Sequence, residues 1–487
     1  MTYTQEYLLK LVKELRALPD ETEWIEFKHN YVNHQEIGEY ISALSNSAAL
    51  SGKVMGYLVW GIEDKTHNII GTDFRPKSLK VGNEELENWL LRLLTPKINF
   101  RFYELQTVQG KVVILEIDRA FRHPVQFQGK EYIRIGTYKK LLKEFPEKER
   151  QLWRIFDTTP FEELNAGEKL NADDIIHLLD YPSYFELTAQ PLPDSKSGII
   201  SRLLEDSMIT KDTASMYSIT NLGAILYAKN LDKFKNLKRK SVRVIVYKDT
   251  TRLNTIKEQI GNKGYAAGFK GLTEFINTLI PSNEVISKTF RKNIPMYPEI
   301  AVRELVANAI IHQDLFIHGT SPMIEIFSDR MEITNPGKPL VNTERFLDSP
   351  PKSRNEVLAS FMRRIGVCEE RGSGVDKVVF QTELYQLPAP LFEVIEDNTR
   401  VTLFAHRPLK KMDRNERIRA TYLHACLKYV QKQYLTNSTL RERFGITKEN
   451  SAMVSRIIKE ASKGEMIKLL DPDNESRKYA KYVPFWA

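Results

Sequence analysis

The sequence predicts a multidomain α+β protein. Three observations predict it. The chain has 487 residues, more than a single hydrophobic core ordinarily serves. Short β-prone runs alternate with helix-patterned segments in its first third and again in its third quarter. From about residue 410 the pattern becomes basic and helical. Hydrophobic residues make up 42% and charged residues 28%, which fits a globular chain and excludes a fibrous or disordered one. The net charge of +8 permits an anionic partner. The two cysteines, Cys368 and Cys426, lie in separate segments without metal-ligand spacing. That argues against a disulfide framework or a cysteine zinc site and fits a reducing compartment. The first residues lack a basic start followed by an apolar stretch, and no apolar run is long enough to span a bilayer. The expectation is a cytoplasmic protein with no membrane partner.

Residues 1–157 form the first expected domain. Residues 24–28, Trp-Ile-Glu-Phe-Lys, read as a strand, and 35–49 as a helix with Ile37, Ile41, Leu44 and Ala48 on one side. Residues 55–62 are strongly β-prone, and further strands are expected at 112–117 and 132–135. Strand alternation puts Glu26 and Lys28 on one face. Carboxylates are hard oxygen ligands suited to Mg²⁺ or Mn²⁺, and a nearby lysine can stabilise developing charge. The bland alternative for the same residues is a solvated ion pair, with Asp64 shaping a turn. Arg134, Lys139 and Lys140, interleaved with Tyr132 and Tyr138, suit a nucleic-acid backbone or else a solvated rim.

The order Glu21, Glu26-Phe27-Lys28, helix, strand, Gly61-Ile62-Glu63-Asp64 resembles the Schlafen-type, Alba-like domain. The resemblance implies a nucleic-acid-binding module. In the Schlafen RNases three acidic residues bind a divalent ion and cut RNA, and the matching positions here are Glu21, Glu26 and Asp64. After the helix Asn46 is kept, but Ser47-Ala48-Ala49-Leu50 replaces the family's flexible turn.

Residues 158–235 are expected to be a connector. A short helix is expected at 171–179 and another at 197–204, with Pro182, Pro191 and Pro193 breaking regularity. The layout resembles the small winged-helix-like module found between the flanking domains of similar bacterial proteins, and acts as a spacer. Gly261, Gly264 and Gly268, further on, read as ordinary loop glycines, with a loop near the nucleotide or a partner surface as the alternative.

Residues 236–408 carry the most informative stretch. Around residues 304–312 a helix is predicted in which Glu304, Asn308 and His312 recur every fourth residue beside an apolar stripe. Asn308 offers an oxygen to Mg²⁺, and Glu304 can orient or deprotonate a water. Asn335-Pro336-Gly337 follows a β-prone run, and Arg371-Gly372-Ser373-Gly374 opens another helix. There, glycines let backbone N–H groups approach phosphates at a helix N-terminus.

In this order the three motifs resemble the N-box and glycine boxes of the GHKL ATPases, the superfamily of gyrases, histidine kinases and MutL-type proteins. The closest likeness is a divergent branch with Asn-Pro-Gly and Ser353-Arg354-Asn355 signatures. The resemblance implies a GHKL-type α/β sandwich that binds ATP and Mg²⁺ with Asn308, His312, Asn335, Gly337, Arg354, Gly372 and Gly374. It also implies a lid over residues 342–367 carrying Arg354, Arg363 and Arg364. The superfamily's usual adenine-reading aspartate is replaced by Asn335. Relatives often pair, which implies a homodimer.

Residues 409–487 predict three helices and a hairpin, the layout of a winged helix–turn–helix. Lys448, Arg456 and Lys459 on the third helix, with Arg477 and Lys478 on the wing, are the expected nucleic-acid contacts; docking to a protein is the alternative. The combined expectation is a cytosolic ATP- and nucleic-acid-binding protein, a transcription regulator or phage-defence component, switched by Mg–ATP. A metal-dependent endonuclease is the alternative, and a nucleotide-stabilised scaffold a third reading.

Overall fold

The computed structural model describes residues 4–18, 22–158, 160–212, 216–286, 291–368, 374–471 and 480–487. It falls into two compact units, Met1–Pro160 with Lys211–Met216, and Phe161–Thr210 with Tyr217–Ala487. No helix among the described residues is long and apolar enough to cross a membrane.

The first unit is built on a four-stranded sheet. Its order is Ile25–Lys28, Met55–Trp60, Gly110–Asp118, Phe100–Thr107, with only the first pair parallel. Alternation sorts side chains into two cores. Leu58, Trp60, Val113 and Leu115 join Ile37, Ile41 and Leu44 of the helix His34–Leu50. Tyr57, Val59, Val112 and Ile114 join Leu8, Leu11, Val12 and Leu15 of the helix Gln5–Arg16. Burial on both faces explains the nearly unbroken apolar run of Met55–Trp60.

The helix His34–Leu50 also buries a polar stripe. The Asn46 amide donates to the carbonyls of Val125 and Tyr132 at 3.0 and 2.9 Å and accepts from Val125 N–H at 2.7 Å. Ser47 accepts from the N–H of Arg134 at 2.8 Å. Asn46 therefore clamps the Lys130–Ile135 strand to the helix rather than shaping a loop after it.

The second unit centres on a six-stranded sheet ordered Thr255–Gly261, Val242–Tyr247, Met323–Ile326, Arg330–Pro336, Asn398–Phe404, Leu391–Ile395. The helices Tyr265–Leu279 and Glu299–Ile311 share a hydrophobic core with it. Phe161, Ile175, Leu203, Ile225 and Phe234, from the expected connector, pack into that same core. Those residues are thus part of the second unit's interior. Gly264 belongs to this packing, because a Cβ there would lie 2.5 Å from the Leu226 carbonyl oxygen. Close backbone approach, not loop freedom, requires that glycine.

The C-terminal part comprises the helices Arg414–Val430, Asn437–Phe444 and Ser451–Lys463, and the strands Ile467–Leu469 and Tyr482–Pro484 pair antiparallel. Capping boxes at Asp413 and Thr436 start the first two helices, and Gly445 at φ +62° ends the second.

Candidate nucleotide site

The helix Glu299–Ile311 carries Glu304 and Asn308, and His312 caps its C-terminus. Its apolar side is fixed in the core by Val302, Leu305, Val306 and Ile310. The other side faces a cavity of ≈ 420 Å³ lined by Glu304, Asn308, His312, Asn335, Arg354 and Gly374, among others. The volume lies within the range, about 300–1,000 Å³, of small-ligand sites. Asn335 and Thr399 are register partners on adjacent strands, and both line it. They give one end of the cavity a polar edge suited to a base.

Gly374 starts the helix Gly374–Leu384 against Glu304 and Asn308. A Cβ built on it would lie 3.1 Å from Glu304 Oε2 and 3.5 Å from Asn308 Nδ2. A cradle that a methyl group would fill therefore sits beside a carboxylate, an amide and a helix N-terminus. The Asn308 amide makes no side-chain hydrogen bond among the described residues. Glu304 is buried and ion-paired with Arg303 at 3.2 Å, and Arg303 also donates to the carbonyls of Gly366 and Val367. Burial first, then the neighbouring Arg354 guanidinium, lowers the His312 pKa. His312 thus faces the cavity as a neutral imidazole at pH 7.

Residues 339–354 form the far wall. Asn355 fastens that wall to the helix end, donating to the carbonyls of Ile311 and Gln313 at 2.8 and 2.7 Å. Arg354 pairs with Asp314 at 3.0 Å and donates to the Lys338 carbonyl. Gly337, at φ +102°, lies where a Cβ would meet Arg354 Nη1 and Asp314 Cβ. It makes room for Arg354 and is not among the residues that line the cavity. Arg363 is exposed at the rim. Arg364 is a correction: it pairs with Asp206 at 3.0 Å, so its charge is taken up away from the cavity. Gly372 lies outside the described residues. Asn355, whose sequence signal was only the Ser353-Arg354-Asn355 signature, is the positioning residue that sequence reasoning left without a role.

The donor set fits a metal–triphosphate. Asn308 would hold the divalent ion, Gly374 and its helix would meet phosphate, and Glu304 would hold a water. Such an ion neutralises phosphate charge when bound.

The first unit departs from the carboxylate expectation. Glu26 is buried, ion-paired with Arg134 and Lys28, and accepts from the Tyr40 hydroxyl at 2.8 Å. Its charge is already neutralised, so neither Glu26 as a metal ligand nor Lys28 as a free cation matches the geometry. Arg134 is fully buried, and that corrects its expected role on nucleic acid. Lys139 pairs with Glu39 at 2.6 Å and lies over the Tyr40 ring, which likewise draws it inward. Lys140 remains exposed beside Tyr138. Asp64 is exposed in the turn after Ile62, and Glu21 lies outside the described residues. Among the described residues, no three His, Cys, Asp or Glu side chains gather in metal-binding geometry.

At the C-terminus, Lys448, Arg456 and Lys459 are exposed. Arg477 and Lys478 lie outside the described residues.

Comparisons with known proteins agree with this layout. Residues 21–143 match the family described as "Schlafen, AlbA_2". Residues 319–403 match the family described as "Putative ATP-dependent DNA helicase recG C-terminal". The chain thus carries an AlbA_2-type domain and an ATPase-like domain. The second match begins after the helix Glu299–Ile311 and so does not include Glu304 or Asn308. Among solved structures, the DIP2311 protein of Corynebacterium diphtheriae is 18% identical, with 93% of this chain and 92% of that chain covered and a TM-score of 0.42. The N-terminal domain of the "Putative ATP-dependent DNA Helicase RecG-related Protein" of Nitrosomonas europaea is 20% identical, with 28% of this chain and 93% of that chain covered and a TM-score of 0.20. No curated protein matches significantly.

Proposed function

We propose that this chain binds Mg–ATP in the cavity of the second unit and nucleic acid through the exposed cations of its C-terminal helices, with the nucleotide controlling its conformation. A gene regulator or a phage-defence component would both use such a switch. One observation carries the reading: Glu304 and Asn308, on one helix, meet Gly374 of a later helix at one wall of one cavity. Within it, Asn335 and Thr399 orient the base, Asn308 holds the ion, and Arg354 offers charge to phosphate. In this reading Glu304 would accept a proton from an attacking water, which makes ATP hydrolysis a consequence to be measured. The ion neutralises the phosphates when bound.

Calorimetric titration of ATP, with and without Mg²⁺, tests this. The wild type should bind in a Mg²⁺-dependent manner, and Asn308→Ala should lose the Mg²⁺ dependence. Undiminished Mg²⁺-dependent affinity in that variant removes the assignment.

A further inference from the structure

Two walls of the cavity are fastened to the same C-terminal helices. One is the strip that contains the turn Thr343–Arg345. Phe346 from this strip lines the cavity, and the next residue, Leu347, is buried in one hydrophobic cluster with Tyr422, Leu423 and Leu427. The Tyr422 hydroxyl donates to the Glu344 carbonyl and accepts from Trp486 Nε1 at 3.0 Å. Arg345 pairs with Asp348, and its guanidinium lies 4.8 Å over the Trp486 ring.

The other wall is the helix Gly374–Leu384, whose first residue touches Glu304 and Asn308. Near its far end Glu383 meets His424 Nδ1 at 3.0 Å and Arg443 Nε at 3.4 Å. Arg443 in turn donates to the Leu387 carbonyl at 2.6 Å. His424 and Arg443 sit on the helices Arg414–Val430 and Asn437–Phe444. The helix that carries Arg456 and Lys459 packs into the same cluster through Val454, Ile457 and Ile458.

A wall held this way cannot move without moving its anchor or breaking buried contacts. We propose that nucleotide binding and nucleic-acid binding are reciprocally coupled, with Tyr422 and Arg345 as the positioning residues that tie the cavity wall to the C-terminal helices. The proposal rests on the function proposed above and adds its regulation. Coupling of this kind is symmetric: each ligand changes the other's affinity by the same factor.

The test uses the full chain, Mg–ATP and labelled duplex DNA, with labelled single-stranded RNA as a second arm. Affinity for each nucleic acid is measured with and without saturating Mg–ATP, and affinity for Mg–ATP with and without the nucleic acid. The wild type should show a shift of at least about five-fold, equal in both directions. Tyr422→Phe, and separately the exposed Arg345→Ala, should bring it close to one while each ligand alone binds within about two-fold of wild type. Persistence of the full shift in both variants overturns the proposal. So does wild-type binding of both ligands with no shift, which leaves the nucleotide reading intact. Failure of the wild type to bind Mg–ATP overturns that reading, and the coupling with it.

Discussion

Replacing Gly374 by alanine should separate binding from folding, because affinity should fall while stability changes little. Gly374 opens a helix without a left-handed φ, so alanine fits the backbone there. In a helix interior the exchange stabilises by up to about 1 kcal/mol, and at a first position by less. The new methyl would lie 3.1 Å from Glu304 Oε2 and 3.5 Å from Asn308 Nδ2. A shift of a few tenths of an ångström relieves that contact, so the melting temperature should change by no more than roughly 2–4 °C. The cradle, however, is filled at the place where ion and phosphate would meet it. Loss of one charge-assisted hydrogen bond costs about 1.5–3 kcal/mol, or about 10- to 150-fold in affinity. Calorimetry of Mg–ATP binding, paired with a thermal melt, reads both quantities. Affinity within about two-fold of wild type, at an unchanged melting temperature, would refute the convergence of these groups on the nucleotide.

Three further outcomes are expected. Burial pushes the Asp376 carboxyl up from 3.8 to about 6, and its Oδ1 is buried without a hydrogen-bond partner. The folded state therefore holds the proton in the window where the unfolded state has lost it. The penalty is fully present above about pH 6 and disappears as pH falls to 3.8. Asp376→Asn should stabilise the protein at pH 7–8 by at most about 3 kcal/mol, less about 0.5 kcal/mol of lost attraction to the helix N-terminus. In urea unfolding the advantage should vanish near pH 4, and a pH-independent difference would contradict desolvation as the cause. Glu26→Ala removes the buried carboxylate that Arg134, Lys28 and Tyr40 share and should destabilise the first unit by about 3–5 kcal/mol. Urea unfolding checks this, and a loss below about 1 kcal/mol would show the pair to be solvated. Removing Lys448, Arg456 and Lys459 together should lower the slope of log affinity for duplex DNA against log salt by about 1 for each phosphate no longer neutralised. An unchanged slope would place the nucleic-acid interface elsewhere.

The parts of this molecule legible in its sequence are those set by local periodicity. Glu304, Asn308 and His312 at helical spacing beside an apolar stripe do face one cavity, because a helix puts such residues on one side. The two central strands of the first unit are readable from their unbroken apolar runs. The strand Phe100–Thr107 is not, since only Phe102 and Leu105 of its residues are buried and the apolar alternation is faint. Side chains whose partners lie far along the chain are also beyond reach. Arg364 meets Asp206 across 158 residues, and Arg134 finds its counter-charge on another strand. A cation on a β-prone run next to tyrosines looks like a phosphate ligand until its carboxylate is located. Asn355 is a third case, because its two carbonyl acceptors are free only where the preceding helix ends.

The most direct test is a crystal structure of the protein with Mg²⁺ and a non-hydrolysable ATP analogue. The expected result is a triphosphate between Gly374 and Arg354, with the ion on Asn308 Oδ1 and the base beside Asn335 and Thr399. An analogue bound at another surface, with this cavity collapsed or filled by side chains, would contradict the account.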